Sequence, residues 1–232
     1  MKNIHSVLVV GSGNIGRRHI QALSRSQLIS EICIVEPSSK ATKESISLIK
    51  KTLTNKNINI SFFQSIDKIN PEKKFLLAVI STNSYERLKI LRRLIKFNIL
   101  NFLLEKILFP HSVDLLLAKN FLSKGNKTVF VNYCYRFKFP FEEIKLNGRE
   151  EKFKMTVTLG NTGLITNIPH WIDIFSFLAS ENIISFKLNK NCRIFESKRG
   201  KPYYDIFGSG YCKTRSGNEF FIKTTKDNEL PV

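Results

Sequence analysis

The sequence predicts an α/β chain in which a Rossmann-type parallel sheet is followed by a shortened α+β domain with a mainly antiparallel sheet. Three observations carry this reading. Apolar strand-like runs alternate with amphipathic helical runs through residue 132. A glycine-rich turn at residues 11–16 joins the first such strand to the first helix. After about residue 150 the helical runs nearly cease and short strand-like runs follow one another across turns.

The elements follow in order. Residues 6–10 are apolar and β-branched, a buried strand, and residues 14–25 read as a helix. A strand is expected at 31–36, a helix at 40–51 and a strand at 57–63. The run FLLAVIS at 75–81 is a fourth strand, and 85–97 places leucine and isoleucine at helical spacing with basic residues outside. Residues 99–105 form a fifth strand, 112–123 a helix and 128–132 a sixth strand. Six strands separated by helices imply a mainly parallel sheet covered on both faces with right-handed crossovers. Beyond it, strands are expected at 152–159, 183–189, 193–197, 203–213 and 219–225, with an amphipathic helix at 169–178. The turns Arg199-Gly200 and Ser216-Gly217 punctuate them. The expected domains are a dinucleotide-binding domain over 1–132 and a substrate-binding domain over 133–232.

Composition narrows the function classes. A chain of 232 residues with 42% hydrophobic content is long and apolar enough for a sizeable core. Residues 1–10 lead as a short strand into the glycine turn and do not read as a secretory signal. The apolar stretch at 88–109 carries Lys89, Arg92, Arg93, Lys96, Glu105 and Lys106, too many charges for a membrane span. The net charge of +18 contains no block of five like charges. It reads as lysines spread over solvated faces and not as a nucleic-acid footprint. Cys33, Cys134, Cys192 and Cys212 show no metal or redox spacing, and Cys33 lies in an apolar strand as a small core residue. A reducing cytoplasm and no metal are the expectation.

The turn Gly11-Ser12-Gly13-Asn14-Ile15-Gly16 has the GxGxxG spacing between a strand and a helix. Gly11 permits the tight turn, Gly13 lets a pyrophosphate approach the backbone, and Gly16 lets helix and strand pack closely. Free N–H groups at the helix start would face the phosphates. Glu36 ends the second strand, where a carboxylate accepts hydrogen bonds from the adenosine ribose diol and repels a 2′-phosphate. NAD is therefore the expected cofactor, with NADP kept open by Ser38 and Lys40.

The stretch GSGNIGRRH at 11–19 resembles the opening of the Gfo/Idh/MocA family of NAD(P)-dependent sugar oxidoreductases. Ser81, Thr82 and Asn83 sit where that family has its strand end and turn beside the nicotinamide. Glu105-Lys106-Ile107 resembles the family's Glu-Lys-Pro signature, whose lysine lies in the active site. RFKFP at 136–140 resembles its crossing into the second domain. Asn167-Ile168-Pro169-His170-Trp171-Ile172-Asp173 resembles its catalytic helix. The matches extend to about residue 180, and the asparagine three before the histidine is similar to members found among bacterial surface-glycan genes. Ile107 stands in place of the usual proline, Thr166 in place of a common aspartate, and the second domain is short for the family.

The resemblance implies a hydride transfer between a nicotinamide and a CH–OH group of a sugar, amino sugar or nucleotide sugar. Lys106 would polarise the reacting oxygen and His170 would move its proton. Asp173, at i, i+3 from His170, would hold the ring or a substrate hydroxyl. Arg136 would contact a substrate carboxylate or phosphate, or else form an ion pair. Asn167 would contact substrate or cap the helix, with Pro169 in its first turn. His19 is expected to pack. Tyr85 and Trp171 are weaker candidates. The alternative is a cofactor-binding remnant without turnover. The expected partners are a small sugar-type substrate and a second copy through the open face of the C-terminal sheet, with neither nucleic acid nor membrane.

Overall fold

The computed structural model describes residues 5–53, 57–123, 127–138, 140–146, 152–197, 200–201 and 203–226. Phe139, Arg199 and the stretch 227–232 lie outside the described residues. The chain divides into two compact units, Met1–Asn132 and Tyr133–Val232.

The first unit is a six-stranded parallel sheet. Its strands are β1 (His5–Val10), β2 (Ile29–Val35), β3 (Asn59–Phe63), β4 (Phe75–Ile80), β5 (Ile99–Leu104) and β6 (Thr128–Val131), in the order β3-β2-β1-β4-β5-β6. The helices are α1 (Asn14–Leu23), α2 (Ser39–Thr52), α3 (Ser84–Leu94) and α4 (Ser112–Ser123). The central strands β1, β2 and β4 are buried on both faces, because successive side chains alternate sides and helices cover each side. Val7, Val9, Ile32, Ile34 and Val79 pack with Ile20 of α1 on one face. Leu8, Val10, Cys33, Ala78, Ile80 and Phe102 pack with Leu91 and Leu94 of α3 on the other.

Strand order reverses between β1 and β4, the position at which open parallel sheets bind ligands. Val10 pairs with Val35 on β2 and with Ile80 on β4, and Ile80 pairs with Leu104 on β5. Four strands therefore end in register. The loops that begin at Gly11, Glu36, Ser81 and Glu105 leave the same edge.

The second unit holds β7 (Lys154–Gly160), β8 (Ile183–Leu188), β9 (Arg193–Glu196), β10 (Tyr204–Thr214) and β11 (Glu219–Thr225). The sheet order is β7-β11-β10-β8, and β9 pairs with β10. Only the β7–β11 pairing among these is parallel; β10 runs antiparallel to β8, β9 and β11. A short helix α5 (Phe141–Leu146) and a 3-10 turn at Cys134–Phe137 precede β7 and are absent from the sequence expectation. The long helix α6 (Leu164–Ala179) packs on β10 and β11. Leu164, Phe175, Val157, Phe220 and Ile222 form its core.

The start of α6 corrects the sequence reading. The helix begins at Leu164, so Asn167 and Pro169 lie inside it and neither starts it. Gly163 occupies the N-cap position and has no side chain to cap with. Asp205 of β10 caps in its place: its carboxylate accepts from the backbone N–H of Ile165 at 2.8 Å and of Thr166 at 3.2 Å, and from the Thr166 hydroxyl at 2.5 Å. A Cβ on Gly163 would lie 1.9 Å from the Asp205 carboxyl carbon, so the cap requires glycine there.

Candidate nucleotide-binding edge and histidine helix

In the first unit the glycine loop is tightly braced. Gly11 has φ +90°, a conformation that favours glycine. A Cβ on Gly16 would stand 2.0 Å from the Gly11 carbonyl oxygen. The Ser81 hydroxyl donates to that same oxygen at 2.7 Å, so Ser81 secures the loop from β4. Around Gly13 a Cβ would meet nothing within 4 Å. Gly13 is the N-cap of α1 and offers no side-chain cap, and the first turn of α1 has no acidic residue. Asn14 and Ile15 are exposed beside it, while Ser12 is buried. Open space over glycine and uncapped N–H groups suit a diphosphate.

Glu36 is fixed at the end of β2. One carboxylate oxygen accepts from the Ser12 N–H at 2.7 Å, the other from the Ser38 N–H at 2.9 Å. This anchors the acid beside the glycine loop, where a ribose diol would lie. The Ser38 hydroxyl caps α2 by accepting from the Ala41 N–H at 3.3 Å. The residues present thus fit an NAD-type dinucleotide.

The turn after β4 and the loop after β5 complete the edge. The Asn83 side chain caps α3 by accepting from the Glu86 N–H at 3.1 Å, and the Thr82 hydroxyl donates to the Asn83 carbonyl at 3.3 Å. Glu105 is buried and accepts from Asn132 at 2.6 Å, with the His19 Nε2 also 2.6 Å away. Burial alone would raise its carboxyl pKa, but bonding to His19 and Asn132, with the positive charge of Arg87 nearby, holds it below the ordinary glutamate value. His19 is therefore a partner of Glu105, beyond the packing role expected for it. Lys106 follows at the edge, half-buried, and the Lys106–Ile107 peptide is cis. Arg87 is one functional residue that the sequence pattern does not reveal. The helical pattern puts it with the outward basic residues, yet it is 2% exposed and bonds the carbonyls of Thr82, Ile107 and Leu108.

In the second unit, α6 gathers the other candidates. His170 is buried; the Tyr135 ring stacks on it at 4.2 Å and the Tyr133 ring meets it edge-on at 5.8 Å. The Lys138 ammonium sits over the Tyr135 ring, 4.4 Å from its centroid. Burial, with the Asp173 charge, raises the Tyr133 phenol pKa. Asp173 forms a two-point ion pair with Arg136, one bond being Nε to Oδ2 at 2.8 Å. Of the readings open for Arg136, the ion pair is the one present, and Asp173 is committed to it. Asn167 donates to the Thr162 hydroxyl at 2.7 Å and the Gly163 carbonyl at 2.8 Å, lacing the first turn of α6. The tyrosines and Asp205 carried no sequence signal, because each acts through a contact distant along the chain.

Fold and edge together define a nucleotide-binding α/β protein. The sequence of residues 5–133 matches the oxidoreductase family with an NAD-binding Rossmann fold, the Gfo/Idh/MocA family, and the chain belongs to it. No curated protein matches the chain. Among solved structures it is similar to a protein described as a myo-inositol dehydrogenase of Sinorhizobium meliloti 1021. That match has TM-score 0.73 and 17% identity, covering 96% of this chain and 69% of the other. It is also similar to UDP-N-acetylglucosamine 3-dehydrogenase of Acidithiobacillus ferrooxidans (TM-score 0.68, 10% identity, 97% and 71% covered). A third is GenD2 of gentamicin A biosynthesis in complex with NAD (TM-score 0.75, 11% identity, 96% and 66% covered). At these identities the likeness is one of fold. Among the described residues no helix is long and apolar enough to cross a membrane, and no cluster of metal-binding side chains occurs.

Proposed function

We propose that this protein is an NAD-dependent oxidoreductase acting on a CH–OH group of a sugar, amino sugar or nucleotide sugar. The observation that carries the cofactor choice is Glu36, an acid held by two backbone N–H groups beside an open glycine loop. There its carboxylate accepts from a ribose diol and disfavours the extra phosphate of NADP. The substrate class draws support from the polyol and nucleotide-sugar dehydrogenases named among the structural neighbours.

When bound, the nicotinamide supplies the hydride acceptor or donor. The chain handles charge and protons. The Lys106 ammonium stabilises developing negative charge on the reacting oxygen. The His170 imidazole takes the hydroxyl proton in oxidation and returns it in reduction. The ion pair of Asp173 with Arg136, the stacked Tyr135 and the edge-on Tyr133 hold the helix and ring that present His170.

The test uses the purified chain. NADH binding, followed by fluorescence, should be tighter than NADPH binding, and Glu36→Ala should erase most of the difference. Myo-inositol and UDP-N-acetylglucosamine, with close analogues, are then screened for absorbance change at the nicotinamide band. Lys106→Ala and His170→Ala should each lower turnover by about 100-fold or more while leaving NADH binding nearly intact. Binding without turnover on any such substrate identifies the remnant. Full turnover in the Lys106→Ala/His170→Ala variant refutes the roles given to these side chains.

A further inference from the structure

We propose that Arg87 is a positioning residue of the nucleotide-binding edge, a buried clamp that joins the turn after β4 to the loop after β5 and thereby holds Lys106. The inference rests on the reading of that edge given above. Arg87 lies at i−4 from Leu91 and i−7 from Leu94, both fully buried, so it occupies the apolar stripe of α3. Lys89 and Arg92 of the same helix are exposed. A guanidinium in a core stripe loses its hydration, and a leucine there would bury more cheaply. The cation is tolerable because carbonyl oxygens meet both of its terminal nitrogens.

What meets them is specific. One terminal nitrogen donates to the carbonyls of Ile107 and of Leu108, the latter at 2.8 Å; the other donates to the Thr82 carbonyl at 2.5 Å. The planar fork sets the spacing of these acceptors, and hence of the two loops. Lys106 is bracketed as a result. On one side stands Glu105, tied to His19 and Asn132. On the other stands Ile107, tied to Arg87. The ammonium of lysine has no fixed plane and cannot hold all three carbonyls at these separations.

The experiment compares Arg87→Met and Arg87→Lys with wild type, well below their melting temperatures and with circular dichroism confirming the fold. Two quantities are read: the NADH dissociation constant, and the rate at which an amine-reactive reagent labels Lys106, by peptide mass spectrometry. Arg87→Met should weaken NADH binding by about tenfold or more, the scale of an ångström-level misplacement. It should also speed Lys106 labelling severalfold, with Lys89 and Lys119 unchanged as internal controls. Arg87→Lys should fall between the two. A folded Arg87→Met with wild-type affinity and wild-type Lys106 labelling overturns the clamp. If Arg87→Met does not fold, the same wild-type values in Arg87→Lys overturn it. Failure of wild type to bind NADH refutes the proposed function instead, and the labelling ratio still decides the clamp.

Discussion

Replacing Asp205 with alanine should unfold the second unit at markedly lower denaturant while leaving the first unit in place. The Asp205 side chain is 3% exposed and accepts from the N–H groups of Ile165, Thr166 and Ile206 and from the Thr166 hydroxyl. The first two are the orphan donors of the α6 start, and losing an N-cap costs about 1 kcal/mol. Hydrogen bonds to a charged group contribute about 1.5–3 kcal/mol each, and unmatched buried donors cost a similar amount. Ile165 and Thr166 are exposed as residues, so water restores part of the loss. The net expectation is about 2–4 kcal/mol, a large share of the roughly 5–15 kcal/mol that stabilises a domain. In a unit of this size that lowers the melting temperature by roughly 10–25 °C. Trp171 is the sole tryptophan and lies on α6, so its fluorescence in a urea titration reports this unit. Asp205→Asn should lose more than half as much, since an amide N–H2 would face donors. An unchanged midpoint in Asp205→Ala, within about 0.5 kcal/mol, would refute the capping argument.

Two further outcomes separate folding from binding and fix a pH dependence. Gly13→Ala should leave the melting temperature within about 2 °C, because its Cβ meets open space, yet weaken NADH binding; Gly16→Ala should destabilise by about 1–3 kcal/mol, because its Cβ collides with the Gly11 carbonyl. Calorimetry and a fluorescence titration on the same samples check both. Glu105 has a folded-state pKa below its ordinary value of 4.5. Its stabilisation is thus complete above that value and disappears as pH falls through the lower folded value. Glu105→Gln should therefore flatten the acid limb of the stability curve, as denaturant midpoints between about pH 3 and 6 would show.

The Rossmann half was legible because its signals are local. Strand burial shows as apolar runs, Gly11 is demanded by its own positive φ, and Gly16 by the Gly11 carbonyl five residues before it. The strand ends missed by a residue or two, as at Glu36 and Ser81, which belong to loops. The second unit was harder to read. Pro169 and Asn167 look like a helix start because proline suits a first turn and asparagine caps well. The actual start at Leu164 depends on Asp205, about forty residues away on a strand, and no local pattern announces it. Arg87 was hidden for a related reason. A basic residue in a helix is ordinarily solvated, and its inward turn follows from carbonyls on two other loops. The stacking of Tyr135 on His170 likewise joins a 3-10 turn to a helix more than thirty residues later.

The braced glycine loop carries a kinetic consequence. The Gly11 carbonyl is wedged against Gly16 and bonded by Ser81 at 2.7 Å, so contacts within the chain set the loop's shape. A dinucleotide meeting this surface has no loop to order, and the entropy that ordering would consume stays out of its affinity. Encounter then proceeds at a rate set by diffusion and orientation, and substitutions along the edge act mainly on residence time.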